Sequence, residues 1–74
     1  MKITVRLFAT LREGRGKELN LETLEHTTPR DLMTRLSIPE SEVAILLVNG
    51  RDGRADGILE EGDRVSLFPP VGGG

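Results

Sequence analysis

Cysteine, tryptophan and tyrosine are absent from the 74 residues, and histidine occurs once. Without cysteine there is no disulfide, no thiolate metal site and no cysteine nucleophile. His26 stands alone in the polar stretch before a helix, so it reads as a surface residue and not as part of a zinc site. The only aromatics are Phe8 and Phe68, which offer no run of stacking platforms for single-stranded nucleic acid. A formal charge of −2, from 10 basic and 12 acidic side chains, favours neither nucleic acid nor a membrane surface. No apolar run approaches the roughly 20 residues needed to cross a bilayer. The opening "MKITVRLFATLREGRG" turns charged too early for the apolar centre of a signal peptide. Cytoplasm is the expected compartment, with no nucleic acid and no membrane as partner.

What is present points to one small domain. A chain this short buries only roughly 60% of its unfolded surface, which leaves little core in which to carve a deep catalytic cavity. Lys2 to Phe8 alternates: Ile3, Val5 and Leu7 point one way, and Thr4, Arg6 and Phe8 the other, the pattern of a half-buried strand. The polar segment "ATLREGRGK" follows, with a helical turn expected at its start. "ELNLE" then alternates again with Leu19 and Leu21 inward, and is expected to pair antiparallel with the first strand. Thr28, Pro29 and Asp31 stand as N-cap, N1 and N3 of a short helix over Pro29 to Ser37. Leu32, Met33 and Leu36 form its apolar stripe, and Pro39 ends it.

The run "EVAILLVNG" reads as an inner strand closed by a turn at Asn49 and Gly50. A very short strand is expected near Arg54, and a last one carries Val65 and Leu67 inward with Arg64, Ser66 and Phe68 outward. The order strand, strand, helix, strand, short strand, strand suits an α+β fold of the β-grasp, ubiquitin-like kind. It is a mixed sheet of four to five strands with one short helix packed on one face. The domain is expected over 1–70, with a flexible C-terminal tail over 71–74.

Several motifs reduce to ordinary structure. "DGRADG" lacks the alternating oxygen ligands and final Glu of a calcium loop and reads as a turn. Glu60 and Glu61 are neighbours in a turn and read as solvated. "REGRGK" lacks the Lys-Ser or Lys-Thr of a phosphate loop. It reads as a flexible basic turn whose Arg12, Arg15 and Lys17 are available to an acidic partner. Phe8 and Phe68 both leave the core side of their strands. In a β-grasp the first and last strands are neighbours, so the two rings are expected to share the outer, helix-free face of the sheet as a docking patch. The alternative is that the strand ends curl and bury them in a rim of the core.

The segment "FPPVGGG" carries the functional reading. Pro69 and Pro70 end the last strand and stiffen the chain as it leaves. Val71 is one apolar contact. Gly72, Gly73 and Gly74 add nothing to a fold, but a glycine strand threads a narrow channel where any Cβ would collide, with its backbone groups bonding to the channel walls. The group such a tail delivers is the α-carboxylate of Gly74. A carboxylate needs activation, commonly by ATP, before a nucleophile can attack it. A domain without such machinery reads as a carrier whose chemistry belongs to another protein.

"VRLFATLRE", "LLVNG" and "LEEGDRVSLFPPVGGG" together resemble the ThiS/MoaD family of ubiquitin-like sulfur carriers, and the likeness spans essentially the whole chain. "FATLRE" and the Pro-Pro resemble the MoaD side more than the thiazole side. The resemblance implies that an E1-like enzyme adenylates Gly74 at the expense of ATP. The carboxylate then becomes a thiocarboxylate, with no cofactor bound to the carrier itself. Gly73 matches the family's penultimate glycine, and Gly72 stands where many members have Ala. The implied partners are that E1-like adenylating enzyme and the large subunit of molybdopterin synthase, which takes up the tail and passes sulfur to a pterin precursor. The free carrier is expected to be a monomer. Phe8, Phe68, Pro69, Pro70 and Val71 are its expected docking residues. Three other functions remain open at this point: a carrier serving a thiazole synthase in thiamine synthesis, a protein modifier joined to lysines through Gly74, and a plain interaction module.

Overall fold

The structure, a computed structural model, describes residues 1–70. Five strands and one α-helix are arranged as β1 (Lys2–Leu7), β2 (Glu18–Glu22), α1 (Pro29–Arg35), β3 (Ile45–Val48), β4 (Arg51–Asp52) and β5 (Arg64–Phe68), with 3-10 turns at Ala9–Arg12 and Glu40–Glu42. The sheet runs β2-β1-β5-β3-β4. β1 pairs antiparallel with β2 and parallel with β5, and β3 pairs antiparallel with both β4 and β5. This is the mixed sheet with one short helix that the element order implies.

Strand parity builds the core. Ile3, Val5 and Leu7 of β1 align with Leu21 and Leu19 of β2 and with Val65 and Leu67 of β5. In turn Leu67 and Val65 face Leu46 and Val48 of β3. Leu32 and Met33 of α1, with Leu11, Ile38 and Leu59, close over this layer. Ten side chains are buried there, each contributing about 1.5–3 kcal/mol of gross burial against the conformational entropy of ordering the chain.

The helix begins as its sequence dictates. Thr28 Oγ1 accepts from Asp31 N at 3.2 Å and Asp31 Oδ2 accepts from Thr28 N at 3.0 Å, a complete capping box with Pro29 inside it. It ends at Arg35, two residues before the expected end at Ser37. Ser37 turns left-handed at φ 58°, and Ser37 N and Ile38 N donate to Thr34 O and Met33 O at 3.1 and 2.8 Å. That is a Schellman termination with serine in the place glycine usually holds. Buried Ile38 then drops back onto the core.

Two other boundaries move for local reasons. β1 stops at Leu7, because Ala9 takes a φ of 52° and swings the chain into the first 3-10 turn. The short strand lies at Arg51–Asp52 and not near Arg54. Asn49 and Gly50 both have positive φ, 53° and 82°, so β3 reverses through a two-residue turn and pairing resumes at once. The Asn49 amide fastens this turn to β5, donating to Asp63 Oδ1 at 2.8 Å and accepting from Arg64 N at 2.9 Å.

Candidate functional site

The outer face of the sheet, opposite the helix, is laid out by the same registers. Arg6 aligns with Ser66, Ser66 with Leu47, and Phe68 with Ile45. At the end of β1 and β5 the two phenylalanines meet. Their ring centroids are 4.1 Å apart with planes inclined by 10°, a parallel stack. Both rings are half-buried, and neither joins the buried core cluster. They lie on the outer face, as alternation implies, and not in a rim of the core. Phe8 N still donates to Leu67 O at 3.2 Å, so the parallel pairing carries one bond past the end of β1.

Ile45 and Leu47 extend the aromatic pair into a wider apolar face. Ile45 is 48% exposed and Leu47 half-buried. Sequence reasoning missed both, because "AILLV" is apolar throughout and shows no alternation. The only signal was positional: Leu46 and Val48 pack on the core, so their neighbours must face the other way. Ser66 also lies on this face, yet it is buried, between Arg6 and Leu47 in the register.

Charged side chains edge the patch on the β1–β2 side. The guanidinium carbons of Arg6 and Arg12 lie 5.6 and 5.4 Å from the Phe8 centroid, within cation–π range. Arg12 Nε also donates to Leu7 O at 2.8 Å. Arg15, expected to be available to a partner, is not. Its guanidinium donates to Leu36 O at 3.0 Å, Leu11 O at 3.2 Å and Ser37 O at 3.1 Å. The basic turn is therefore tied to the C-terminal end of α1, whose free carbonyls attract a cation.

The chain leaves the sheet beside this patch. β5 lies between β1 and β3, and Pro69 (half-buried) and Pro70 (exposed) follow Phe68 directly. Val71, Gly72, Gly73 and Gly74, the expected contact, threading and reactive residues, lie outside the described residues, as does the expected tail 71–74. His26 is exposed in a turn with φ 68°. Glu60 and Glu61 are exposed, and the Glu61 carboxylate accepts from Lys2 N at 3.1 and 3.2 Å, capping the start of β1. Among the described residues no group of three or more His, Asp or Glu side chains is placed to hold a metal ion. No helix there is long and apolar enough to cross a membrane.

The model of the ThiS family matches residues 5–74. A putative molybdopterin converting factor subunit 1 from Pyrococcus furiosus is 30% identical, with a TM-score of 0.76 over 96% of this chain and 99% of that one. SAMP1 of Haloferax volcanii, a small archaeal modifier protein, superposes with a TM-score of 0.81 over the whole of both chains at 22% identity. A complex of subunits 1 and 2 of the molybdopterin-converting factor from Helicobacter pylori gives a TM-score of 0.65 at 24% identity, again covering both chains fully. The last two likenesses are of fold alone, the ubiquitin-like β-grasp. A comparison with curated proteins returns no match.

Proposed function

The chain belongs to the ThiS family, and from that membership we propose that it is a sulfur carrier whose C-terminal Gly74 is the loading point. Both chemical steps belong to a partner. In an E1-like adenylating enzyme, a carboxylate oxygen of Gly74 bonds to the α-phosphorus of ATP and pyrophosphate leaves. A sulfide-level nucleophile then bonds to the carbonyl carbon. AMP departs with the bonding electrons and the sulfur loses its proton, leaving a thiocarboxylate. The small domain contributes recognition and position. The observation that carries this reading is that Pro69 and Pro70 emerge directly beside the Phe8–Phe68 stack. A partner that grips the stack therefore holds the root of the tail in a fixed place, which is how binding energy becomes orientation.

For the acceptor, the likeness to the Pyrococcus furiosus protein and to a subunit 1–subunit 2 complex favours molybdopterin synthesis, with the synthase large subunit receiving the tail. Supply of a thiazole synthase is the same chemistry with another acceptor. The fold it shares with SAMP1 supports a second reading, conjugation through Gly74 to a lysine amine, in which nitrogen replaces sulfur as nucleophile.

The test is co-expression with an E1-like enzyme from the same genome, followed by intact-mass measurement. Exchange of one oxygen for sulfur is expected, and alkylation of the product separates a thiocarboxylate from an oxidised side chain. A chain lacking Gly73 and Gly74 is expected to gain nothing. Full sulfur loading of that shortened chain would overturn the proposal, and an isopeptide ladder in place of sulfur would favour the second reading.

A further inference from the structure

Beside the aromatic stack lies a basic notch lined by Arg6, Phe8, Arg12, Lys17 and Glu18. Arg12 is pre-set within it. One guanidinium nitrogen is satisfied by Leu7 O at 2.8 Å, and the group rests 5.4 Å from the Phe8 centroid. Its two terminal nitrogens have no acceptor among the described residues. Arg6 lies over the same ring. Its Nε is 3.7 Å from Glu18 Oε1, a pair with both side chains about half exposed and so weakly committed to each other. The Lys17 ammonium makes no ion pair among the described residues. Its backbone is anchored, since Lys17 O accepts from Leu7 N at 2.8 Å, and the Arg15 clamp holds the turn that precedes it.

We propose that this notch receives a carboxylate side chain from the protein that grips the aromatic face, with Arg12 as the fork and Arg6 and Lys17 as flanking cations. The proposal rests on the carrier reading and specifies the partner's chemistry: an apolar surface with an acidic residue at one side. A steadied guanidinium with two free nitrogens matches a carboxylate in the bidentate manner, which an ammonium cannot do. Its place at the rim of an apolar patch is where charges set register and encounter rate. On a chain of formal charge −2, a local group of three cations also orients the approach of an acidic partner. With the notch on the β1–β2 side and Ile45 and Leu47 on the other, the carrier seats in one direction only, and that direction aims Pro69 and Pro70 at the partner's channel. A nucleic-acid phosphate also suits Arg12, but Phe8, the one aromatic lining the notch, is already stacked on Phe68 and flanked by two guanidiniums, which leaves the notch poorly suited to stacking a base.

The probe is the purified E1-like adenylating enzyme encoded in the same genome, titrated calorimetrically at low and at physiological ionic strength. Arg12→Gln is expected to weaken binding about tenfold or more and Lys17→Glu several-fold, both with a shallower salt dependence. Arg12→Lys, which keeps the charge but not the fork, is expected to fall between Arg12→Gln and the unaltered chain. Thermal unfolding checks that each variant is folded. Should Arg12→Gln fail that check, Lys17→Glu decides, because its side chain makes no bond to lose. Equal binding and equal salt dependence in the Arg12→Gln and Lys17→Glu proteins would overturn the notch while leaving the carrier reading intact. No binding and no adenylation of the unaltered chain would remove both. A labelled oligothymidine that binds the unaltered chain at physiological salt, but not Arg12→Gln, would make the notch a phosphate site and also overturn the proposal.

Discussion

Phe68→Ser separates a ring that decorates the sheet from a ring that holds it together. A fully buried phenylalanine cut to a small residue costs about 3–5 kcal/mol. Phe68 is only half-buried and lies on the helix-free face opposite Ile45. What the substitution removes is the stack on Phe8 at 4.1 Å, worth about 0.5–1.5 kcal/mol beyond area, together with a strand preference of up to about 1 kcal/mol. The expected loss is therefore about 0.5–2.5 kcal/mol, with the melting midpoint falling by about 4–8 °C for each kcal/mol in a domain of this size. Because the chain has no tryptophan or tyrosine, urea unfolding followed by far-ultraviolet circular dichroism is the suitable assay. The slope against urea is expected to stay unchanged. A double-mutant cycle with Phe8→Ala is expected to return a coupling of about 1 kcal/mol, while affinity for the proposed adenylating partner falls by more than the stability loss accounts for. A loss above about 4 kcal/mol, or zero coupling to Phe8, would refute the placement of these rings outside the core.

Other substitutions test the backbone that frames the face. Ser37→Gly is expected to stabilise by about 0.5–1 kcal/mol, since glycine occupies the left-handed position without the Cβ clash; Ala9→Gly, at φ 52°, is expected to act in the same direction, and urea midpoints check both. Gly53→Ala is expected to destabilise by about 1–2 kcal/mol. A Cβ there falls 2.6 Å from Leu46 Cδ2 and from Val48 Cγ2, and β-branched Val48 has little freedom to turn aside. The exposed Arg30–Glu40 pair makes stability weakly pH-dependent. The hydrogen bond from Arg30 holds the Glu40 carboxyl below its ordinary value. Its contribution is thus present above the unfolded-state pKa and lost as the pH falls through the lower folded-state value. Glu40→Gln is expected to flatten the corresponding part of a melting-temperature profile against pH, and an unchanged profile counts against the pair.

The legible features were those that local chemistry decides. Thr28, Pro29 and Asp31 specified the start of α1 because a capping box involves only four consecutive residues. Alternation specified β1, β2 and β5 because each has one face in the core and one outside it, and it therefore put Phe8 and Phe68 on the same face. β3 was legible as a strand, but which of its side chains face outward was not, for the converse reason. With Leu46 and Val48 on the core and Ile45 and Leu47 under the outer patch, its apolar run has no period to read. Arg15 was misread because a guanidinium in a glycine-rich turn has no local sign that three carbonyls from Leu11 and the end of α1 will converge on it.

Composition and pattern alone determined the β-grasp order of elements and which face of β1, β2 and β5 meets the core. These follow from short-range sterics and from the period of side chains along a strand or helix, which the chain carries wherever it goes. The β-grasp order implied that β1 and β5 are neighbours, and tertiary structure decided their parallel register. It thereby brought Phe8 against Phe68, drew Arg6 and Arg12 over the Phe8 ring, and set this charged and aromatic patch beside Pro69 and Pro70. Contacts between residues some 60 positions apart depend on how sheet and helix close around a shared core, and no local rule contains that information.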